Sequence, residues 1–224
     1  MRRRKPNLPR NRISTRRGVS ANTRKMGGRE MNKEVTLIVF EGLRSRHEQS
    51  GKLFKHLCGL GGFGDAVYIA EDCTYQQAMH WELGRFADYF DTSHALICTH
   101  DGFIANPHLW QDSWLEYDML GAPWPASWNV GHRVGNTGFT LQSQKFLQMA
   151  AKAEPLWKGE AGDVFLCRTM EQGFRDNGIK YAPVSVAAAF SWEHYVEENT
   201  AGPDRSFGFH GWVAGKTREQ YYTF

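Results

Sequence analysis

The chain reads as an α/β fold in which a mainly parallel sheet is flanked by helices. Two observations carry that reading. Three strand-then-helix patterns succeed one another within about 70 residues after position 31, a spacing that implies parallel strands joined by crossover helices. Hydrophobic residues make up 41% of the 224 positions, enough for one large core, and no internal repeat divides them. A single domain over residues 31–224 is therefore expected, behind a leader at 1–30. No run approaches the roughly 18 to 20 apolar residues of a membrane-spanning helix, and no secretory signal opens the chain, so a soluble, cytoplasmic protein is expected.

Charge is divided unevenly. Residues 1–29 hold eleven of the 27 Lys and Arg and none of the 24 acids, so the remainder is net acidic although the whole chain carries +3. The leader is composed of Arg, Asn, Ser, Gly and Pro and has little apolar surface to bury against its ordering entropy, which predicts disorder. It has three readings: an arm that contacts nucleic acid or another polyanion, an idle solvated tail, or a segment upstream of a start at Met31.

The elements come in order along the chain. Val35–Phe40 (VTLIVF) is a buried strand. Glu48–Cys58 places Leu53, Phe54, Leu57 and Cys58 on one helical face, and Gly59, Gly61, Gly62 and Gly64 end it. Ala66–Ala70 is a second strand. Tyr75–Phe90 carries Met79, Leu83, Phe86, Ala87 and Phe90 at helical spacing, and Ala95–Thr99 is a third strand running into His100-Asp101-Gly102. Beyond residue 105, Trp110, Trp114, Trp124 and Trp128 fall in irregular segments with Pro and Gly. Such loops either line a ligand cleft or plug a second small core. Asn136–Leu141 is a short strand, Ser143–Ala151 a helix, and Asp163–Asn177 a helix stopped by Gly178. Cys58, Cys73, Cys98 and Cys167 are widely spaced with no Cys-x-x-Cys pair, as expected of reduced core thiols.

Ligands of open parallel sheets bind beyond the carboxyl ends of the strands. Asp101 occupies such an end. A carboxylate leaving a hydrophobic strand ahead of Gly102 is suited to a divalent cation, the glycine letting a diphosphate approach the backbone; a plain Asp-Gly turn reads the same way. Asp163 opens a helix, which suits either an N-cap or a general base.

The motifs THDGF (Thr99–Phe103), YDMLGAPW (Tyr117–Trp124), VGNTGFTLQS (Val134–Ser143), GDVFLCR (Gly162–Arg168) and FGFHG (Phe207–Gly211) together resemble a family of glycosyltransferases of the GT-A, Rossmann-like fold found in bacteria, phages and some eukaryotes. The resemblance covers roughly residues 35–212, and the leader has no counterpart in it. It implies that Asp101 and His210 form the metal and diphosphate site, with Mn²⁺ or Mg²⁺ as cofactor; the usual Asp-x-Asp pair is absent, since His100 and Gly102 flank Asp101. Gly135, Asn136 and Gly138 resemble the glycine-rich turn beneath donor sugar and acceptor, against the simpler reading of a hairpin turn. Asp163 resembles the catalytic base of a Glu-Asp-Val segment whose first acid is here Gly162. The segment with Glu41 and Arg44 lies where such a domain holds the nucleotide, with Arg46 nearby. Trp124 is placed to stack on a sugar face, and Glu193 is either an acceptor ligand or one half of a salt bridge.

The resemblance thus implies direct displacement from a nucleotide-sugar donor to a hydroxyl acceptor, with a base at Asp163 favouring inversion. A glycan and a hydroxylated base of phage DNA are the two acceptor classes, the second implying a host cytoplasm. A sugar- or nucleotide-binding module without turnover, and a nucleic-acid-binding protein acting through the leader, are the alternatives.

Overall fold

The computed structural model describes residues 32–128, 131–199 and 203–211, together with the backbone of Ile13–Ser14. The expectations for the basic leader fall almost wholly outside the described residues. In chain order the strands are β1 (Ile13–Ser14), β2 (Val35–Glu41), β3 (Asp65–Ala70), β4 (His94–Cys98), β5 (Gly102–Ile104), β6 (Met119–Leu120), β7 (Phe139–Ser143), β8 (Ser191–Trp192) and β9 (Gly208–His210). The helices are α1 (His47–Leu60), α2 (Tyr75–Gly84), α3 (Gln144–Ala153), α4 (Gly162–Val164), α5 (Glu171–Asp176) and α6 (Val184–Phe190).

Six strands form the main sheet in the order β1-β3-β2-β4-β7-β6. Its centre, β3-β2-β4, is parallel, with Leu37 level with Leu96 and Ile38 level with Ile97. β7 runs antiparallel to β4 and to β6, and β1 antiparallel to β3, so the sheet is mixed: parallel within, antiparallel on both flanks. Alternate residues of β2 point to opposite faces. Val35, Leu37 and Val39 meet Leu53, Phe54 and Leu57 of α1. Ile38 and Phe40 meet Trp81 of α2, Leu147 of α3 and Phe86. Because both faces are covered, the central strands are apolar throughout, as a buried parallel sheet requires.

Local signals explain the helix ends. Thr74 caps α2 in a reciprocal box with Gln77, and the Ser143 hydroxyl accepts the Phe146 N–H at the start of α3. α2 stops at Gly84, and Phe86–Tyr89 continues as a 3₁₀ turn rather than as the single long helix expected. The expected helix at 163–177 exists but contains a π-helical turn, Phe165–Thr169, in which Met170 N–H reaches back to the Phe165 carbonyl. Gly178, at φ +78°, ends it.

The tryptophans correct the cleft expectation. Trp110 and Trp114 are fully buried and pack edge-on against each other and against Phe207 and Phe190, joining the core beneath α1. Trp124 is also buried, and Trp128 alone among these four is exposed. All four cysteines are free thiols, Cys98 and Cys167 fully buried. Among the described residues, no helix is long and apolar enough to cross a membrane.

The site is built by the segment after β4. The chain leaves the sheet at Thr99, turns through His100 and Asp101, and enters β5, which pairs with β9 in a small second sheet, β5-β9-β8. That pairing sets Gly102 opposite His210.

Candidate active site

Asp101 is held in place from several directions. Its side-chain oxygen Oδ1 accepts the Thr99 hydroxyl at 2.9 Å, and its carbonyl accepts the Gly211 N–H at 3.0 Å. Around the same oxygen stand His210 Nε2 at 3.4 Å and His100 Nδ1 at 3.6 Å. Burial alone would raise the carboxyl, but the His210 hydrogen bond and the charges of both histidines hold it well below the usual carboxylate range.

His210 bridges two acids. Nδ1 lies 3.0 Å from Glu193 Oε1 while Nε2 faces Asp101. Burial disfavours the imidazolium, yet the two carboxylates outweigh it and push His210 up to about 10. Glu193 in turn is lowered: burial raises it, and the hydrogen bonds from His210 and from the Asn136 amide outweigh that cost.

Asn136 is the keystone of the glycine-rich turn. At φ 71° it adopts a left-handed conformation that Asn tolerates better than most residues. Its Oδ1 accepts the N–H groups of Gly138 (2.7 Å) and Phe139 (3.0 Å), and its Nδ2 lies 2.6 Å from His210 Nδ1. The turn therefore serves the histidine rather than acting as a free hairpin. The glycines serve packing. A Cβ on Gly102 would fall 2.4 Å from the Gly138 carbonyl, one on Gly138 2.1 Å from His210 Nε2, and one on Gly135 2.0 Å from the Trp124 ring. On the side where a Cβ would project, Gly102 packs directly against the backbone of Gly138.

The remaining expected residues divide. Asp163 has its Oδ1 on the Val164 N–H at 2.8 Å, and burial and the Glu193 charge raise its carboxyl against that hydrogen bond and the His210 charge, so it belongs to the same electrostatic neighbourhood. Glu41 is almost fully buried and both its oxygens are used: Oε1 accepts Leu43 N–H at 2.8 Å and Oε2 the Ser50 hydroxyl at 2.9 Å. It ties the loop after β2 to α1, and its Oε2 lies 3.8 Å from His100 Nδ1 at the edge of the cluster. Arg44 is exposed on a 3₁₀ turn, whereas Arg46 lies 3.3 Å from His100 Nδ1 and so adjoins the cluster. Trp124 is a correction: 3% accessible beneath Gly135, it has no open face for a sugar. Its neighbour Trp128, ring centroids 6.3 Å apart, is the exposed indole and stands edge-on to His194.

One acid escaped the sequence reading. Glu82 of α2 touches the start of α4, where a Cβ on Gly162 would meet its Oε2 at 3.1 Å. The Thr137 side chain hydrogen-bonds to it, and its Oε1 is buried without a hydrogen-bond partner. The signal was present: Glu82 sits three residues after Met79 and four before Phe86, a charge inside an apolar stripe. An open cleft of about 450 Å³ runs along the same α4 and π segment, lined by His132, Val164, Cys167 and Arg168 among others.

As a cation site the cluster supplies two donors, Asp101 Oδ1 and His210 Nε2. No group of three or more His, Cys, Asp or Glu with metal-binding geometry occurs among the described residues. A cation would have to displace the Nε2 proton of His210, and two protein donors leave most of a hard divalent ion's coordination to the oxygens of a ligand. Glu193 holds the far nitrogen of His210, an arrangement that orients a ligating imidazole, and Asp101, Glu193, Asp163 and Glu82 give the neighbourhood an acidic character that an anionic ligand would enter only with a counter-charge.

No curated protein matches the chain. Among solved structures, that of a glycosyltransferase involved in the glycosylation of the major capsid of PBCV-1 superposes with a TM-score of 0.52 at 13% identity, covering 83% of this chain and 95% of that one. At that identity the likeness is one of fold. A family model described as a protein of unknown function, DUF5672, matches residues 66–210. Those residues span more than half of the sequence and include Glu82, Asp101, Asn136, Asp163, Glu193 and His210, and the chain belongs to that family.

Proposed function

We propose that this protein is a glycosyltransferase that moves a sugar from a nucleotide-sugar donor to a hydroxyl acceptor. The observation that carries the reading is the Asp101–His210–Glu193 chain, with Asp101 3.4 Å and Glu193 3.0 Å from one imidazole, at the point where the chain leaves the carboxyl end of a parallel strand. The PBCV-1 enzyme of like fold supports it. Parallel strands aim their carboxyl ends and the loops after them at a common ligand region, and the loops here deliver an acid, an imidazole and an amide.

In this reading the acceptor oxygen attacks the anomeric carbon as the bond from that carbon to the diphosphate oxygen breaks. The nucleoside diphosphate leaves with the electron pair, and the acceptor's proton passes to a carboxylate of the cluster. Mn²⁺ or Mg²⁺ arriving with the donor would be held by Asp101 and His210 and would offset the diphosphate charge. Glu193 fixes the ring of His210, and Asn136 fixes both Glu193 and the turn beneath it. Arg46, 3.3 Å from His100 Nδ1, adds positive charge on the side of the loop after β2. Most of the catalytic effect is positioning and electrostatic stabilisation of the leaving diphosphate.

The acceptor is a glycan or, if the leader holds nucleic acid, a hydroxylated base in DNA. Incubation with a panel of nucleotide sugars and Mn²⁺ or Mg²⁺ tests the reading by release of nucleoside diphosphate. Release from one donor, lost in both Asp101→Asn and His210→Ala, is expected. Thermal stabilisation by a donor without any release would point instead to a binding module.

A further inference from the structure

We propose, within the transferase reading, that Glu82 rather than Asp163 is the carboxylate that accepts the proton of the acceptor hydroxyl. The two acids lie in one neighbourhood at the junction of α2, α4 and the Asn136–Gly138 turn, but their surroundings differ. Asp163, inside α4 and not at its N-cap, engages Oδ1 with the backbone N–H of the next residue, Val164. Glu82 has an oxygen buried without any hydrogen-bond partner, a costly condition for a group that does nothing else. The Thr137 side chain orients its carboxyl, and Thr137 belongs to the turn whose Asn136 contacts His210. A free lone pair on an oriented carboxylate is what a general base requires.

The charged and titratable groups that face Glu82 are consistent with the role. Asp163 comes from α4, Cys167 from the π turn, Tyr75 from the first turn of α2, and His210 from β9. Burial first, and then the Asp163 charge, raise Glu82 to about 7, against the Thr137 hydrogen bond and the His210 charge. A base so placed is half ionised near neutrality, where proton acceptance is most effective. During transfer the acceptor O–H bond breaks, the proton goes to a Glu82 oxygen, and the electron pair forms the new bond to the anomeric carbon.

The test uses the full chain and whichever nucleotide sugar it hydrolyses fastest, with water as the acceptor. The wild-type rate should rise with pH through an acidic limb near 7. Glu82→Gln should fold, because it removes a buried charge, yet lose 100-fold or more in kcat together with that limb. Glu82→Asp should recover part of the rate. Asp163→Asn should keep the limb but move it to lower pH, since a neighbouring negative charge has gone. A Glu82→Gln enzyme that retains the wild-type limb, or an Asp163→Asn enzyme that loses it, overturns the assignment while leaving the transferase reading standing. Absence of donor hydrolysis by the unsubstituted chain overturns both.

Discussion

Single atoms set the behaviour of this site. Glu82 carries a stability consequence independent of catalysis. Its carboxyl ionises near 4.5 when exposed and near 7 when folded, chiefly through burial. Between those values the folded chain binds the proton more tightly than the unfolded chain, so stability falls as pH rises across that window and is restored on acidification. Glu82→Gln is therefore expected to melt higher than the wild type at pH 8, with the difference vanishing toward pH 4.5; thermal melts across that range check it. Gly138 is the complementary case. An alanine there would place Cβ 2.1 Å from His210 Nε2, and the ring would have to leave Asp101. Gly138→Ala should retain a cooperative melt yet lower donor turnover by at least tenfold, measured as nucleoside diphosphate release. Glu82 showed in the sequence only as a charge inside an apolar stripe, and the constraint on Gly138 could not be read from its own position, because it comes from a histidine 72 residues away.

At the level of elements, the contacts between them matter more than their propensities. Ser143 ends β7 and caps α3: its hydroxyl accepts the Phe146 N–H at 3.0 Å and donates to Asp118 Oδ1 at 2.6 Å. Ser143→Ala should cost about 1–2 kcal/mol, read as a lower denaturant midpoint at unchanged slope. β7, like β1, makes the sheet mixed. It lies beside β4 and delivers the Asn136–Gly138 turn to the end of that strand, where the Thr99 N–H donates to the Gly138 carbonyl at 2.8 Å. A parallel neighbour would start at the opposite end of β4, and its preceding turn would lie far from Asp101. The π turn at Phe165–Thr169 has no counterpart in the hydrophobic spacing, because one extra residue in a helix barely disturbs an apolar stripe over so short a run.

For the whole molecule, charge and core are separable. Residues 1–29 carry eleven basic and no acidic side chains, while the remainder is net acidic, so the intact chain is expected to bind a cation exchanger at neutral pH and a 31–224 fragment to flow through; elution against salt measures the difference. The core is shared by both faces of the main sheet, and Leu96 at its centre is fully buried. Leu96→Ala should cost about 2–5 kcal/mol, checked by chemical denaturation. The sequence by itself determined the longer elements through Asp163–Asn177 in their order, because apolar periodicity and glycine stops act over a few residues, but not the short strands β5 and β6; Asp101, Asn136, Asp163, Glu193 and His210 stood out as polar residues, most of them within the motifs that carry the family resemblance. Only the tertiary structure decided that Trp110, Trp114 and Trp124 are core, that Glu41 is buried between its own loop, Ser50 and His100, and that Glu82 stands among the acids. Burial and pairing are properties of surfaces brought together from distant parts of the chain, and no local pattern encodes which surface a side chain will meet.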